Sequence, residues 1–424
     1  MRLLHPLGLL LLACSDTAVD VQAWIVSSPI LIRSTRSSTG STKTTTKTTT
    51  TARTTTTTTT TLFNIPPPST TDKEAFQAYA NKQAPPASFF ELQQDCIRST
   101  KLAIDDGKLL LEVEFPPLPA NVLELDDVSA YDVASANLNL AIEFAKGFTV
   151  GNNNYGGDNG GVVDSSSSSS KIQNVAIMLP DEDEARIAME RLTGKKDEYI
   201  APTVQMERGI TVSSLRRSDE SDDRLIKPEQ TFLNLFGGGN DKAGGSGVKP
   251  LNGTDLYLIL VASAQELPDI EQLHKLQPGI PIVFYNLKLD ILRGDLGAPA
   301  FPPKAFQDRF LSKVKPVYYL RTRQYSRSTS RPPFLVNYQG CLFRAYPGQY
   351  QTLLDTGTGS YRRLVGQDIR PALGEFKEQL TQALRDEGVL PQSEGSAFDF
   401  LRTGYKTTTW WEEEREESSD EWRT

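Results

Sequence analysis

Two histidines, three cysteines and two glycine-rich runs are where chemistry would first be sought in this chain of 424 residues. His5 falls in an apolar leader, and His274 follows Leu273 at a solvent-facing position of a helical pattern. With one histidine left in the body and no Gly-x-Ser-x-Gly elbow, a Ser-His-Asp or Cys-His site has little to stand on. Cys14 belongs to the leader and Cys96 to the apolar face of a helix, so at most one disulfide remains, and no Cys-x-x-Cys pair suggests zinc. The runs Gly156-Gly157-Asp158-Asn159-Gly160-Gly161 and Gly237-Gly238-Gly239 lack the strand, the Gly-Lys-Ser/Thr and the helix that frame a phosphate loop. They read as flexible insertions. Asp181 and Asp183 could hold a magnesium ion, but a helix starts there and its dipole also favours acids. No catalytic residue, metal or cofactor is therefore expected. The remaining candidates stand at strand ends, where doubly wound sheets hold their ligands. Pro116, Pro117, Asp181 and Asn286 are such ends. With Arg344 they form the expected surface for a ligand or partner.

The elements that position them begin with Leu109 to Pro119. Leu111, Val113 and Phe115 share one face of a strand, and the double proline, lacking amide hydrogens, ends it. Upstream, Ser88 and Glu91 have capping-box spacing, Phe89, Leu92, Cys96 and Ala103 share a helix face, and Gly107 is the stop. Downstream, Ala134, Leu138, Ala141, Ala145 and Phe148 mark a second amphipathic helix, whose Asn137 and Asn139 can cap or touch strand ends. Val175 to Leu179, Leu256 to Val261, Ile280 to Tyr285 and Val317 to Leu320 are buried-type strands, with helical patterns between them. This alternation predicts an α/β fold built on a mostly parallel, doubly wound sheet. Cys341 to Tyr346, Gln349 to Leu354 and Tyr361 to Val365 then follow one another through turns, as a C-terminal antiparallel meander. Pro371 opens a last helix and Gly388 stops it.

The flanks read differently. Residues 1–23 look like a signal peptide, with Arg2 and His5 before a short leucine-rich core. Residues 24–84 are transit-like, free of acids at first, with 16 threonines in the twenty residues from Thr42 to Thr61. Such a tract cannot bury apolar surface and is expected to be disordered. An aromatic, Trp24, directly after the expected cleavage site suits a two-part plastid presequence; ordinary secretion is the alternative. The folded domain is expected over 85–390, with Gly/Ser-rich insertions near 150–171 and 236–250. Residues 391–424 form an acidic tail with Trp410, Trp411 and Trp422, either disordered or anchoring on a partner through its aromatics. Net charge is −8, and much of it lies in that tail, so the near-neutral body argues against nucleic-acid binding. After the leader no apolar run is long enough to span a membrane, which leaves a soluble or peripheral protein.

Glu112-Val113-Glu114-Phe115-Pro116-Pro117, Ala136-Asn137, Leu179-Pro180-Asp181, Asn286-Leu287, Val317-Tyr318-Tyr319 and Phe343-Arg344-Ala345-Tyr346-Pro347-Gly348 occur in that order. Together they resemble the DUF1995 domain of cyanobacteria and plastids, over about residues 86–388. Plant members include the Low PSII Accumulation 3 type, and the domain also occurs behind a plastid adenylate kinase. The resemblance implies a plastid protein that binds other proteins, with photosystem II core subunits as partners during assembly. It brings no catalytic residues, and kinase activity does not carry over to a chain without a Walker-type loop. The alternative is a nucleotide or phosphometabolite site at the strand carboxyl ends.

Overall fold

The central strand β1, Leu110–Glu114, is buried along its whole length and has a parallel neighbour on each side. The computed structural model to which it belongs describes residues 73–82, 84–119, 122, 128–149, 172–194, 203–217, 247–290, 303–329, 332–357, 360–391 and 421–424. The leader, the threonine tract, both glycine runs quoted above, Trp410 and Trp411 lie outside them.

Before β1 come α1 (Lys73–Lys82) and α2 (Phe89–Asp105). After it the order is α3 (Ala130–Thr149), β2 (Val175–Leu179), α4 (Glu182–Thr193), β3 (Val204–Glu207), β4 (Ile210–Ser214), β5 (Leu256–Ile259), α5 (Leu267–Leu276) and β6 (Ile282–Tyr285). Then follow α6 (Lys304–Arg309), β7 (Lys315–Ser328), β8 (Leu335–Ala345), β9 (Tyr350–Asp355), β10 (Tyr361–Gln367) and α7 (Leu373–Asp386). One sheet runs β10-β9-β8-β7-β1-β6-β5-β2-β4-β3. The stretch from β7 to β4 is parallel, β3 closes one edge antiparallel to β4, and β8, β9 and β10 form the antiparallel meander at the other. This is the predicted fold class.

Each parallel strand is covered on both faces, which is why β2, β5 and β6 are continuous apolar runs. On one face Leu111, Val113 and Phe115 join α1, α2, α3 and α4 in a single apolar cluster. On the other, α5 and α6 cover β5 and β6, while α7 covers the meander, as two separate clusters. The Ser88 hydroxyl caps α2 by accepting from the Glu91 amide at 3.2 Å, and Gly107 and Gly388 take the left-handed conformation at the predicted stops.

Three features exceed the sequence reading. The first is α1, upstream of the expected boundary at 85, with Phe76 and Ala80 fully buried in the main cluster. β7 continues well past Leu320, because Tyr318 to Ser328 pairs without interruption to β8. β3 adds a hairpin to β4 through Gly209 at φ +81.

The backbone of β8 comes close under α7. A Cβ on Gly340 would stand 2.5 Å from Leu380 Cδ1 and 3.0 Å from the Leu353 carbonyl oxygen. Gly340→Ala is expected to lower stability by about 1–3 kcal/mol through this overpacking, read as a shift in urea unfolding. An unchanged midpoint would mean that α7 does not seat on β8.

Candidate functional site at the carboxyl ends of the parallel strands

Parallel strands end together, so the residues just beyond them share one edge of the sheet. There the backbone is unusual. Among the described residues, Val261, Asn286 and Lys288 are the non-glycine residues at positive φ (62°, 53° and 53°), and all three follow β5 or β6. Asn286 suits this conformation, since its short polar side chain bonds locally. Its Oδ1 accepts from the Phe115 amide at 2.9 Å, and its Nδ2 donates to Asn137 Oδ1 at 2.7 Å. The Asn286 side chain therefore ties the end of β1 to α3, beside buried Pro116 and half-buried Pro117.

Val261 has no such excuse. A β-branched residue in the left-handed region is a true outlier, and strain of this kind costs about 1–3 kcal/mol. Its side chain is 47% exposed. It stands at the lip of a cleft of about 260 Å³ between α3 and α4, over the ends of β2 and β5. The walls are mostly apolar: Ala130, Ala134, Leu138, Leu179, Ala188 and Leu260, with Tyr131 at the mouth, 52% exposed. Glu184 and Arg191 are the charged lining residues, and the Arg191 guanidinium lies 4.2 Å from the centre of the Tyr131 ring.

Of the predicted residues, Pro116, Pro117 and Asn286 come together. Asp181 lies at the end of β2, three strands from β1 and two from β6, where its Oδ1 caps α4 by accepting from the Glu184 amide at 2.9 Å. Asp183 pairs with Arg186 at 3.3 Å. Among the described residues no group of three or more His, Cys, Asp or Glu could hold a metal ion. Cys96 and Cys341 are free and buried, and burial pushes both thiols up, away from reactivity. His274 is half-buried on α5, and burial holds its imidazole below the ordinary range.

Arg344 belongs to a second place, on the face opposite Leu111, Val113 and Phe115. It pairs across the strands with Tyr319, which pairs with Glu114. Glu112, Glu114, Arg321, Arg344 and Arg370 are all buried there. Asp290 ties them: it accepts from Arg370 Nη2 at 2.6 Å on both oxygens, from Arg321 Nη1 at 3.2 Å and from the Tyr319 hydroxyl. Burial pushes the Glu114 carboxyl up to about 7, with Arg321 opposing and Glu112 adding to the rise. Trp422 reaches the same region. Far from standing free in the tail, it is buried against the body, with its carbonyl 3.5 Å from the Tyr350 hydroxyl. Val261, Tyr131, Arg191, Lys315 and the docking of Trp422 escaped the sequence reading. Nothing in sequence marks a strained valine, and the others meet their neighbours only through tertiary packing between elements far apart in the chain.

The family model described as Domain of unknown function (DUF1995) matches residues 86–378. The chain belongs to the DUF1995 family. Comparisons with curated proteins and with solved structures found no match. The matched span of this DUF1995 chain runs from α2 into α7 and so contains both the strand-end cleft and the charged band.

Two outcomes test this geometry. Asn286→Ala should cost about 2 kcal/mol or more, since it leaves the Phe115 amide unpaired and puts alanine at positive φ. Asn286→Gly should cost less, because only the hydrogen bonds go; equal losses in chemical denaturation would refute the backbone argument. Glu114 binds its proton more tightly folded than unfolded. Its contribution is full below its ordinary 4.5 and disappears as pH rises through about 7. Between those limits the wild type should lose about 3 kcal/mol relative to Glu114→Gln in urea unfolding across pH. Parallel pH profiles for the two proteins would contradict it.

Proposed function

We propose that this DUF1995 protein is a non-catalytic plastid factor that binds other proteins, with photosystem II core subunits as its partners during assembly. The observation that carries the reading is Val261, an exposed apolar side chain held in a strained backbone at the mouth of an apolar cleft. Strain is retained where function requires it, and an exposed apolar residue beside an aromatic suits a protein partner better than a polar metabolite. The leader supports delivery to a plastid. Among the described residues no helix is long and apolar enough to cross a membrane, which fits contact with membrane subunits from outside the bilayer. A nucleotide or phosphometabolite at the strand ends has less support, because Arg191, the cation of that cleft, already lies over Tyr131.

The test is affinity purification of the tagged, full-length protein from its own cells, followed by mass spectrometry. Photosystem II core subunits should be enriched over an untagged control, and Val261→Asp should cut that enrichment about tenfold, as loss of a central apolar contact does. Val261→Gly should also weaken capture while raising stability by about 1 kcal/mol through release of strain. Recovery from plastids with no specific partner would sink the assembly reading, and absence from plastids would sink the address.

A further inference from the structure

Two cations are buried near the docked tail without a direct ion pair; the acids nearest Lys315, Glu421 and Asp106, are paired with Lys108 and Lys73. Lys315, the first residue of β7, is 6% exposed and Arg344 is 3% exposed. Among the described residues, neither forms an ion pair. Lys315 Nζ has one long contact, to Thr424 Oγ1 at 3.5 Å. Arg344 donates from Nε to the Gly348 carbonyl at 3.1 Å, but its buried Nη1 has no acceptor. Both cations lie near one ring, Tyr346, at 5.3 and 5.6 Å from its centre, and Arg344 also lies 4.5 Å from the centre of Tyr350.

Such a pair is out of balance. A buried charge is normally met by an opposite charge or lost by titration. Titration is under way: burial first, then Arg344 and Lys108, lower Lys315 to about 8 against the opposing charges of Glu421 and Asp106, which still leaves it protonated near neutral pH. Cation–π contact with Tyr346 and Tyr350 is too weak to replace an anion. Two positive charges with open donors call for a dianion that offers several acceptor oxygens, which describes a phosphate group.

The C-terminal residues lie across this place. Glu421 pairs with Lys108 at 3.2 Å, the Trp422 amide donates to the Ser312 carbonyl at 3.3 Å, and the Arg370 amide donates to the Arg423 carbonyl at 2.8 Å. Trp422 is 1% exposed. We propose that Lys315 and Arg344 form a phosphate-binding site and that Glu421–Thr424 is its cover, which an incoming phosphate group must displace. This site is separate from the apolar cleft: the two lie at different strands, and the partner reading can fail without it.

Calorimetric titration of the full chain with inorganic phosphate, and separately with glycerol 3-phosphate, tests the proposal. Trp422→Ala should bind at least about tenfold more tightly than the wild type, and adding Lys315→Met should undo that gain by a similar factor, as loss of a charge-assisted contact does. Tighter binding of glycerol 3-phosphate would identify an organic phosphomonoester as the ligand, and a preference for inorganic phosphate would identify the free ion. No saturable binding by Trp422→Ala, or equal binding after Lys315→Met, overturns the site. Should Trp422→Ala fail to fold, thermal unfolding decides. Phosphate should raise the midpoint of the wild type, at constant ionic strength, and leave Lys315→Met unmoved; equal shifts in both overturn the proposal.

Discussion

Two carboxyl groups on the central strand, Glu112 and Glu114, set the terms for one whole face of the sheet. A parallel strand between two parallel neighbours is sealed above and below, so side chains that alternate along it have no wet side to turn to. Buried carboxyls must be protonated, paired or hydrogen-bonded. For Glu114 the neighbourhood supplies a nearby cation, a hydrogen bond and a raised proton affinity. Arg321 stands nearby, the Lys288 amide donates to Glu114 Oε2 at 3.0 Å, and the proton affinity of Glu114 is raised. Arginines brought in to balance these acids then need anchoring of their own, which Asp290 gives to Arg321 and Arg370.

That charged band explains an asymmetry between the faces. Under α1 to α4 the apolar residues form one continuous cluster, whereas the other face carries two, one beneath α5 and α6 and one beneath α7. The gap lies along β1, β7 and β8, where Glu114, Tyr319 and Arg344 stand in one cross-strand row. Apolar packing cannot cross such a row, since each ionic group there needs polar neighbours. Trp422 is placed at this seam, where a large side chain with one polar atom can bridge the two regimes.

The alternation of helical and strand patterns was enough to read the sheet, the meander and most helices, because continuous apolar runs of four to six residues have few other uses. Asn286 and Asn137 were legible as strand-end residues, and Asp181 as an acid at a helix start. Less visible was everything that depends on pairing. The far end of β7, Arg323 to Ser328, alternates between half-buried and exposed and is rich in arginine and serine, and only its partner β8 makes it a strand. Likewise α1 has a weak apolar stripe of its own, and it is held by the body: Gln351 Nε2 donates to the Ala80 carbonyl at 2.6 Å, and Tyr346 shares Asp106 with Lys73. Arg344 was picked out in sequence, but for a strand-end surface that it does not join.

Strain and unbalanced charge are therefore stored in different parts of one sheet. Val261 lies at the end of β5, on the side where α3 and α4 leave an apolar opening. Lys315 and Arg344 lie on β7 and β8, beyond β6 and β1 in the strand order. Neither feature helps the fold: a glycine would serve better at 261, and apolar side chains would serve better beneath the tail. Residues that work against stability at two separated places, in a sheet otherwise built from consistent local choices, are the departures from folding logic on which both proposed binding sites rest.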